Sequence, residues 1–267
     1  MSDTPLRLVL SDVDGTLINS KKELTDETIR TVRELEDRNI LFTLTSARPP
    51  RGFAMFLEPL DLTAPLGAFN GGLFVNRDMT PIHELAVDEN LVGPIIEALV
   101  ANDLSVWVYQ GTQWFVIDLD GPHVRHESDV VQFRPIQTAS FDELRRDVVK
   151  IVGVSDDPTA IANGQAALRD FDIAATTSQA YYLDVTNSRA NKGSVVEFLA
   201  EHYSISTSSI ATIGDAGNDV AMFERSGLSV AMGNASPTVK AKARFETKSN
   251  DDNGFAYAVE HLILPRT

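Results

Sequence analysis

Residues 7–20 read RLVLSDVDGTLINS, and this stretch decides the fold. Residues 8–10 form a short apolar run that is typical of a buried strand. Two aspartates, Asp12 and Asp14, follow almost at once. Two like charges at the end of a buried strand repel each other, and each is costly to bury without a partner. The stretch therefore predicts either a cation at this strand end or chemistry that needs both carboxylates.

Composition limits the class of protein. The chain has 267 residues, of which 43% are hydrophobic, enough for a sizeable buried core. Its net charge of −15 argues against nucleic-acid binding, which needs a basic surface. It has no cysteine, which excludes disulfides, thiol catalysis and cysteine-ligated metals. No apolar run approaches the length of about 18 residues needed to span a membrane, and no signal-peptide pattern opens the chain. We expect a cytoplasmic protein, a monomer or weak homodimer.

The two ends of the chain share one pattern of elements. Thr25 is positioned to cap a helix over residues 26–38, which lies between two apolar strand segments. Strands joined by helices predict a parallel, doubly wound sheet. The expected strands cover residues 6–10, 40–44, 64–69, 209–213 and 228–232, and the later helices cover residues 193–203, 218–226 and 252–264.

The middle of the chain differs. Close-spaced strands at residues 105–109 and 113–119 predict an antiparallel pair, and we expect further strands at 148–154 and 181–185. Helical spacing covers 89–101 and 159–170. We therefore predict an inserted α+β domain at 81–187 in a core made of 1–80 and 188–267. The chain is expected to cross between the core and the inserted domain near 76–81 and 185–190. Residues 121–141 are irregular and are expected to form a mobile loop.

Polar residues collect where the core strands end. In open parallel sheets, ligands bind beyond the carboxyl ends of the strands. Oxygen donors without histidine or cysteine suit a hard cation such as Mg²⁺. A hydroxyl, a lysine and free backbone N–H groups beside it suit a phosphate. The residues at these positions are Asp12, Asp14, Ser46, Lys192, Asp215 and Asp219.

This set of groups suggests a reaction. A carboxylate held against a phosphate can attack phosphorus and form an aspartyl-phosphate. The carboxyl group of Asp14, two residues along the chain from Asp12, could protonate the leaving oxygen and then take a proton from the attacking water.

Four motifs in order resemble the haloacid dehalogenase-like (HAD) hydrolase superfamily, and more narrowly its Cof-type phosphatases. They are DVDGTL at 12–17, TSAR at 45–48, Lys192-Gly193, and GDAGNDVAMFERSGLSVAMGNA at 214–235. The resemblance covers both ends of the chain, and the insertion falls where these relatives carry a large α/β cap. It implies a Rossmann-like, parallel-sheet core with an inserted cap domain.

The resemblance also assigns roles. It implies that Asp12 is the nucleophile and Asp14 the general acid and base. Mg²⁺ would be bound by Asp12, the backbone carbonyl of Asp14 and Asp215, with support from Asp219. The groups implied to lie around the phosphate and substrate are Ser46, Lys192, Asn218, Asn70, Gly71 and Arg48. The second motif departs from the family's usual Thr-Gly-Arg, since Ser46 keeps the hydroxyl but Ala47 replaces glycine, so contact between Arg48 and substrate stays open.

Several alternatives remain from the sequence. The leading hypothesis is a Mg²⁺-dependent phosphatase of a small phosphorylated metabolite, a sugar phosphate. A phosphomutase or other phosphotransferase could use the same residues, and a non-catalytic binding protein could keep the fold. Strand-end aspartates can also be plain turn or cap residues, and Asp219 could brace the site without touching metal. In the irregular stretch, His123, Arg125, His126 and Arg134 could bind an anion or simply be solvated.

Overall fold

The computed structural model describes residues 5–267. These residues contain fourteen strands and nine α-helices. The strands are β1 (Leu8–Ser11), β2 (Leu41–Leu44), β3 (Leu66–Ala68), β4 (Leu73–Val75), β5 (Pro81–Glu84), β6 (Ser105–Gln110), β7 (Gln113–Val116), β8 (Ile136–Gln137), β9 (Val148–Val154), β10 (Ile173–Gln179), β11 (Tyr182–Asn187), β12 (Ile210–Gly214), β13 (Leu228–Ala231) and β14 (Phe245–Glu246). The helices are α1 (Asp26–Asp37), α2 (Ala54–Leu57), α3 (Glu89–Val100), α4 (Val124–Val131), α5 (Pro158–Ala167), α6 (Lys192–His202), α7 (Val220–Phe223), α8 (Pro237–Lys240) and α9 (Gly254–Ala258).

The core is a five-stranded sheet in the order β14-β13-β12-β1-β2, and every pair in it is parallel. Strand β1 is buried on both faces, which explains its unbroken apolar run. Val9 packs into the cluster that holds apolar residues of α1 and α9, whereas Leu8 and Leu10 pack into the cluster that holds those of α6, α7 and α8. Helices therefore cover both faces of the sheet, and the predicted doubly wound parallel core is confirmed.

Helix α1 begins where the sequence indicates. The side chain of Thr25 accepts a hydrogen bond from the backbone N–H of Thr28 at 3.2 Å, which satisfies one of the free donors of the first turn. Val32 and Leu35 on its buried face are completely inaccessible to solvent. The helix thus packs on the core sheet through the apolar spacing that predicts it.

The crossing out of the core lies later in the chain than the sequence suggests. Residues 76–80 form a hairpin turn, in which the N–H of Asn76 donates to the carbonyl of Thr80 at 3.0 Å. Strand β5 then pairs with β4 in an antiparallel sheet of β3, β4 and β5. The last backbone hydrogen bond to the core runs from the N–H of Leu85 to the carbonyl of Gly72. The first one to β9 runs from the N–H of Val87 to the carbonyl of Val148, and both are 2.8 Å long. The crossing is therefore at 85–87, and the expectation of one at 76–81 is corrected because β5 continues the core.

The inserted segment forms a separate six-stranded sheet in the order β10-β11-β9-β6-β7-β8. All its pairs are antiparallel except β7 with β8. Residues of α3 and α5 pack on one face in their own apolar cluster. The other face shares a cluster with the core, so it faces the catalytic half of the protein. We refer to this sheet and its helices as the cap.

The prediction that residues 121–141 form an irregular, mobile loop is wrong over much of this range. Residues 124–131 form α4, in which Val124, Ser128 and Val131 are buried. Two strand residues, β8, follow at the edge of the cap sheet. Only Val124, Val130 and Val131 are apolar in this helix, and the five polar residues between Val124 and Val130 hide the helical spacing. Throughout residues 5–267, no helix has both the length and the apolar character that a membrane crossing requires.

Candidate active site

The predicted strand-end residues lie together at the carboxyl edge of the core sheet. Asp12 follows β1 directly and is 5% exposed. Lys192, the first residue of α6, is 1% exposed, and its Nζ donates to Asp12 Oδ1 at 2.5 Å and to Asp219 Oδ1 at 2.6 Å. Asn191 caps α6 by accepting a hydrogen bond from Gly193 N–H at 2.9 Å, which fixes where Lys192 leaves the backbone.

The charges of this cluster do not balance. Burial raises the pKa of Asp12 well above its ordinary value; Lys192 offsets this only in part, while Asp219 and Asp215 add to it. Burial alone would lower the pKa of Lys192, but Asp12 and Asp219 outweigh it and raise that pKa. Lys192 is therefore a firmly held cation, and three carboxylates share that one positive charge. The excess negative charge is what a divalent cation would neutralise.

Carboxylate oxygens of Asp12, Asp215 and Asp219 lie within 4.8 Å of one another, close enough to share one ion. Thr16 Oγ1 donates to Asp215 Oδ1 at 3.1 Å, and Asn234 Nδ2 donates to Asp215 Oδ2 at 3.3 Å. These bonds orient Asp215 and leave lone pairs on both of its oxygens. The donor set and its excess charge both fit Mg²⁺.

Gly15 and Asn234 bring the first and last motifs into close contact. Gly15 has φ +80°, and a Cβ there would overlap the carboxylate of Asp215, so only glycine allows the first motif to approach Asp215 this closely. Asn234 also donates to the carbonyl of Gly15 at 2.9 Å. The loop after β13 thus ties the first and last motifs together.

Asp219 is completely buried, and both of its oxygens are engaged. Oδ1 accepts from Lys192, while Oδ2 accepts from the N–H groups of Asp215 and Ala216, both at 2.8 Å. This arrangement favours the alternative in which Asp219 braces Lys192 and the loop that carries Asp215. Direct contact between Asp219 and a metal stays a prediction.

Asp14 occupies a more exposed position and is held by two cations. Arg48, whose side chain is 8% exposed, donates through Nε to Asp14 Oδ2 at 2.8 Å and through Nη2 to Asp14 Oδ1 at 2.9 Å. Lys22 Nζ donates to the same Oδ1 at 2.8 Å. Burial would raise the pKa of Asp14, but Arg48 and then Lys22 outweigh it and lower that pKa to about 2. Asp14 is therefore ionised while Arg48 and Lys22 hold it.

This ion pair gives a pH-dependent prediction. We expect Arg48→Met to raise the pKa of Asp14 above about 2, because the largest interaction that favours the carboxylate is lost while burial remains. The carboxylate then takes up its proton at a higher pH than in the wild-type protein. Carbon-13 NMR of labelled aspartate side chains measures this titration. Lys22→Met is the matched control and should shift the midpoint less; an unchanged midpoint in Arg48→Met would contradict the assignment.

The remaining predicted residues lie on neighbouring loops. The N–H of Asn70 donates to the carbonyl of Ser46 at 2.8 Å, and Asn218 Nδ2 donates to Asn70 Oδ1 at 3.1 Å. Gly71 has φ +94°, and a Cβ there would overlap the Ser194 hydroxyl at the start of α6. Ser46 is buried, and its Oγ accepts from Arg48 N–H at 3.2 Å, which leaves the hydroxyl hydrogen available for a ligand. These contacts bring the second motif and the last motif to one rim.

Three contributors were not singled out from the sequence. Thr16 and Asn234 lie inside the quoted motifs DVDGTL and GDAGNDVAMFERSGLSVAMGNA, so the sequence marks their positions. It does not show that their side chains hydrogen-bond to Asp215. Lys22 follows the motif in an ordinary polar turn, and nothing in the sequence marks it as a partner of Asp14.

Comparison with known proteins gives consistent results. The family described as haloacid dehalogenase-like hydrolase matches residues 9–259. A Haemophilus influenzae protein provisionally named a phosphatase is 28% identical over 95% of this chain and 97% of its own length. A 5-amino-6-(5-phospho-D-ribitylamino)uracil phosphatase of Bacillus subtilis is 26% identical over 97% of this chain and 98% of its own. The crystal structure of a haloacid dehalogenase-like hydrolase from Bacteroides thetaiotaomicron is 27% identical, covers 96% of this chain and 99% of that one, and superposes with a TM-score of 0.88.

Proposed function

This chain belongs to the haloacid dehalogenase-like hydrolases and is a phosphoric monoester hydrolase; we propose that it cleaves a small phosphorylated metabolite, a sugar phosphate, through an aspartyl-phosphate on Asp12. The observation that carries this proposal is the burial of Asp12 against Lys192, at the point where the loops of Asp14, Ser46 and Asp215 meet. The named substrate of the Bacillus subtilis relative is a phosphate ester of a ribityl chain, which supports a hydroxylated leaving group here.

The residues divide the reaction into two steps. In the first, a carboxylate oxygen of Asp12 forms a bond to phosphorus and the ester P–O bond breaks. Asp14, once Arg48 has moved away and the carboxyl group has taken a proton from solvent, gives that proton to the leaving oxygen. In the second, water attacks phosphorus, Asp14 takes a proton from that water, and the Asp12 carboxylate is released. Lys192 keeps Asp12 oriented, and the Ser46 hydroxyl can donate to a phosphoryl oxygen.

Mg²⁺ belongs to this proposal because the residues fit it. Asp12, Asp215 and the backbone carbonyl of Asp14 would hold the ion, with Asp219 bracing the loop behind them. When bound, the ion neutralises the carboxylates and polarises the phosphoryl group. Asn234 and Thr16 keep Asp215 in its orientation for this role.

The cap is proposed to move as a lid. The two chain crossings touch each other, since Asn187 Nδ2 donates to the carbonyl of Ala86 at 2.7 Å. Backbone hydrogen bonds to the core end at Leu85, and those to the cap begin at Val87. Such a short connection can act as a hinge by changing a few backbone dihedral angles. Closing the cap over the rim would keep stray water from the phosphoenzyme.

Phosphate release with and without metal tests the function. We expect the purified protein to release inorganic phosphate from hexose, pentose and sugar-alcohol phosphates, EDTA to abolish the release, and added Mg²⁺ to restore it. The reason is that the carboxylate cluster repels the phosphate dianion unless its charge is neutralised. Full activity in EDTA would contradict the metal assignment. Transfer of the phosphoryl group to a second sugar without release of phosphate would favour the phosphotransferase alternative.

A further inference from the structure

A charged pair is buried in the face of the cap sheet that looks toward the core. Lys150 on β9 donates through Nζ to Asp184 Oδ2 on β11 at 2.8 Å, and the two residues are 8% and 5% exposed. Withdrawing two charges from water costs free energy that their attraction often fails to return. The other large side chains of this face are aromatic: Trp107, Tyr109, Trp114 and Tyr182. An ion pair in such a face calls for a function besides packing.

The pair lies directly above the catalytic loops. Lys150 Nζ is 5.9 Å from the centre of the Phe69 ring, and that ring is 5.1 Å from the ring of Tyr109. The N–H of Phe69 donates to the carbonyl of Arg48 at 3.0 Å, and the next residue, Asn70, is bonded to Ser46. Only one side chain therefore separates the pair from the loops that carry the substrate-binding groups.

Hydrogen bonding on this face is incomplete. Within residues 5–267, no group bonds to Asp184 Oδ1 or to Trp114 Nε1, although both atoms are buried. The pairing of β9, β6 and β7 places Lys150, Tyr109 and Trp114 side by side, so Lys150 and Trp114 are two strands apart, about 10 Å. An acceptor and a donor that are buried without partners at this spacing indicate bonds that a ligand completes.

We propose that Lys150, Asp184 and Trp114, which we call the cap-face cluster, bind the hydroxyl groups of an uncharged, polyhydroxylated leaving group. A hydroxyl both donates and accepts, so it can accept from Lys150 or Trp114 and donate to Asp184 Oδ1 in turn. The inference rests on the proposed function, because it assigns the part of the substrate that lies beyond the phosphate.

Charge selects against other leaving groups. Glu127 on α4 is the next acidic group, and its Oε2 accepts from the Tyr182 hydroxyl at 3.4 Å. Lys150 balances the charge of Asp184, so the carboxylate of Glu127 leaves a net negative charge that disfavours a second anionic group. An apolar leaving group would leave both orphan atoms of the cluster unsatisfied. Phe69 covers Tyr109 in this conformation, so the leaving group reaches the cluster when the cap lifts from loop 69–71.

The test compares two kinds of phosphate ester. Phenyl phosphate has no hydroxyl on its leaving group; hexose 6-phosphates, pentose 5-phosphates and sugar-alcohol phosphates have several. We expect Lys150→Met and Asp184→Asn each to lower the ratio of kcat/KM for the best hydroxylated ester to kcat/KM for phenyl phosphate roughly 10- to 100-fold, since each removes one hydrogen bond that involves a charged group. Asp184→Asn keeps the shape of the side chain and so protects the fold.

A matched control and two results decide the outcome. Arg146→Met breaks an exposed cap ion pair with Glu89, 3.2 Å long, and should leave the ratio unchanged. An unchanged ratio in both test variants, which includes an equal loss on both kinds of ester, would overturn the cap-face assignment, and so would a wild-type preference for phenyl phosphate. A wild-type protein that releases no phosphate from any ester would instead overturn the proposed function.

Discussion

Asp12→Asn is expected to abolish phosphate release and to leave no phosphorylated protein, even with Mg²⁺ and saturating substrate. The amide keeps the shape of the carboxylate but has no anionic oxygen to attack phosphorus, and the loss of a covalent nucleophile costs several orders of magnitude in kcat. Lys192 retains Asp219 as a partner, so the variant should fold. Phosphate release in a single turnover, with the folded state checked by circular dichroism, measures the effect.

Asp14→Asn is the matched control for this prediction. It keeps the nucleophile and loses only the proton relay, a step that contributes about 10²- to 10⁴-fold. Phosphoenzyme should therefore still form in Asp14→Asn, more slowly, whereas none forms in Asp12→Asn. Equal residual rates in the two variants would show that Asp12 has no distinct covalent role.

Lys192→Met is expected to lower the free energy of unfolding by about 3–5 kcal/mol as well as activity, because it leaves Asp12 and Asp219 buried without their shared cation. Urea unfolding at pH 7 without added metal measures the change. Lys240→Met, which removes a partly exposed pair with Glu246 at 3.7 Å, is the control and should change stability by about 0–1 kcal/mol.

The same variant should also strengthen the gain in stability that Asp12 gives as pH falls. Burial already raises the pKa of Asp12 in the folded protein, and removal of Lys192 raises it further. A carboxyl group whose folded pKa lies above its unfolded pKa destabilises the fold when ionised, and this penalty disappears as pH falls through the folded pKa. Lys192→Met should therefore regain stability relative to wild type as pH is lowered from neutral. Parallel stability curves for the two proteins would contradict the shared-cation account.

The catalytic rim could be predicted from sequence because its signals are local. Asp12 and Asp215 follow apolar runs that are buried strands, and the parallel order of β1 and β12 brings their ends together. The helix that begins with Lys192 is marked by its apolar spacing and by Asn191, a good cap residue. The family resemblance added roles to positions that the strand-end rule had already selected.

Other features depend on contacts between distant parts of the chain. Arg48 can bind substrate or Asp14, and only the fold shows that two of its guanidinium nitrogens, Nε and Nη2, donate to Asp14. Lys150 and Asp184 are 34 residues apart and meet because β9 pairs with β11. Helix α4 shows too few apolar residues to stand out in sequence. Its two buried valines, Val124 and Val131, pack in the cluster shared by the core and the cap sheet.

The covalent role of Asp12 is tested most directly by trapping the reaction. Wild-type protein is mixed with Mg²⁺ and an intact sugar phosphate that it cleaves, and the reaction is quenched in acid within one turnover. The protein should then gain the mass of one phosphoryl group. Fragmentation of the modified peptide should place that group on Asp12, and the signal should vanish as free phosphate appears. Release of phosphate with no modified protein at any time, or a phosphoryl group on another residue, would contradict the account.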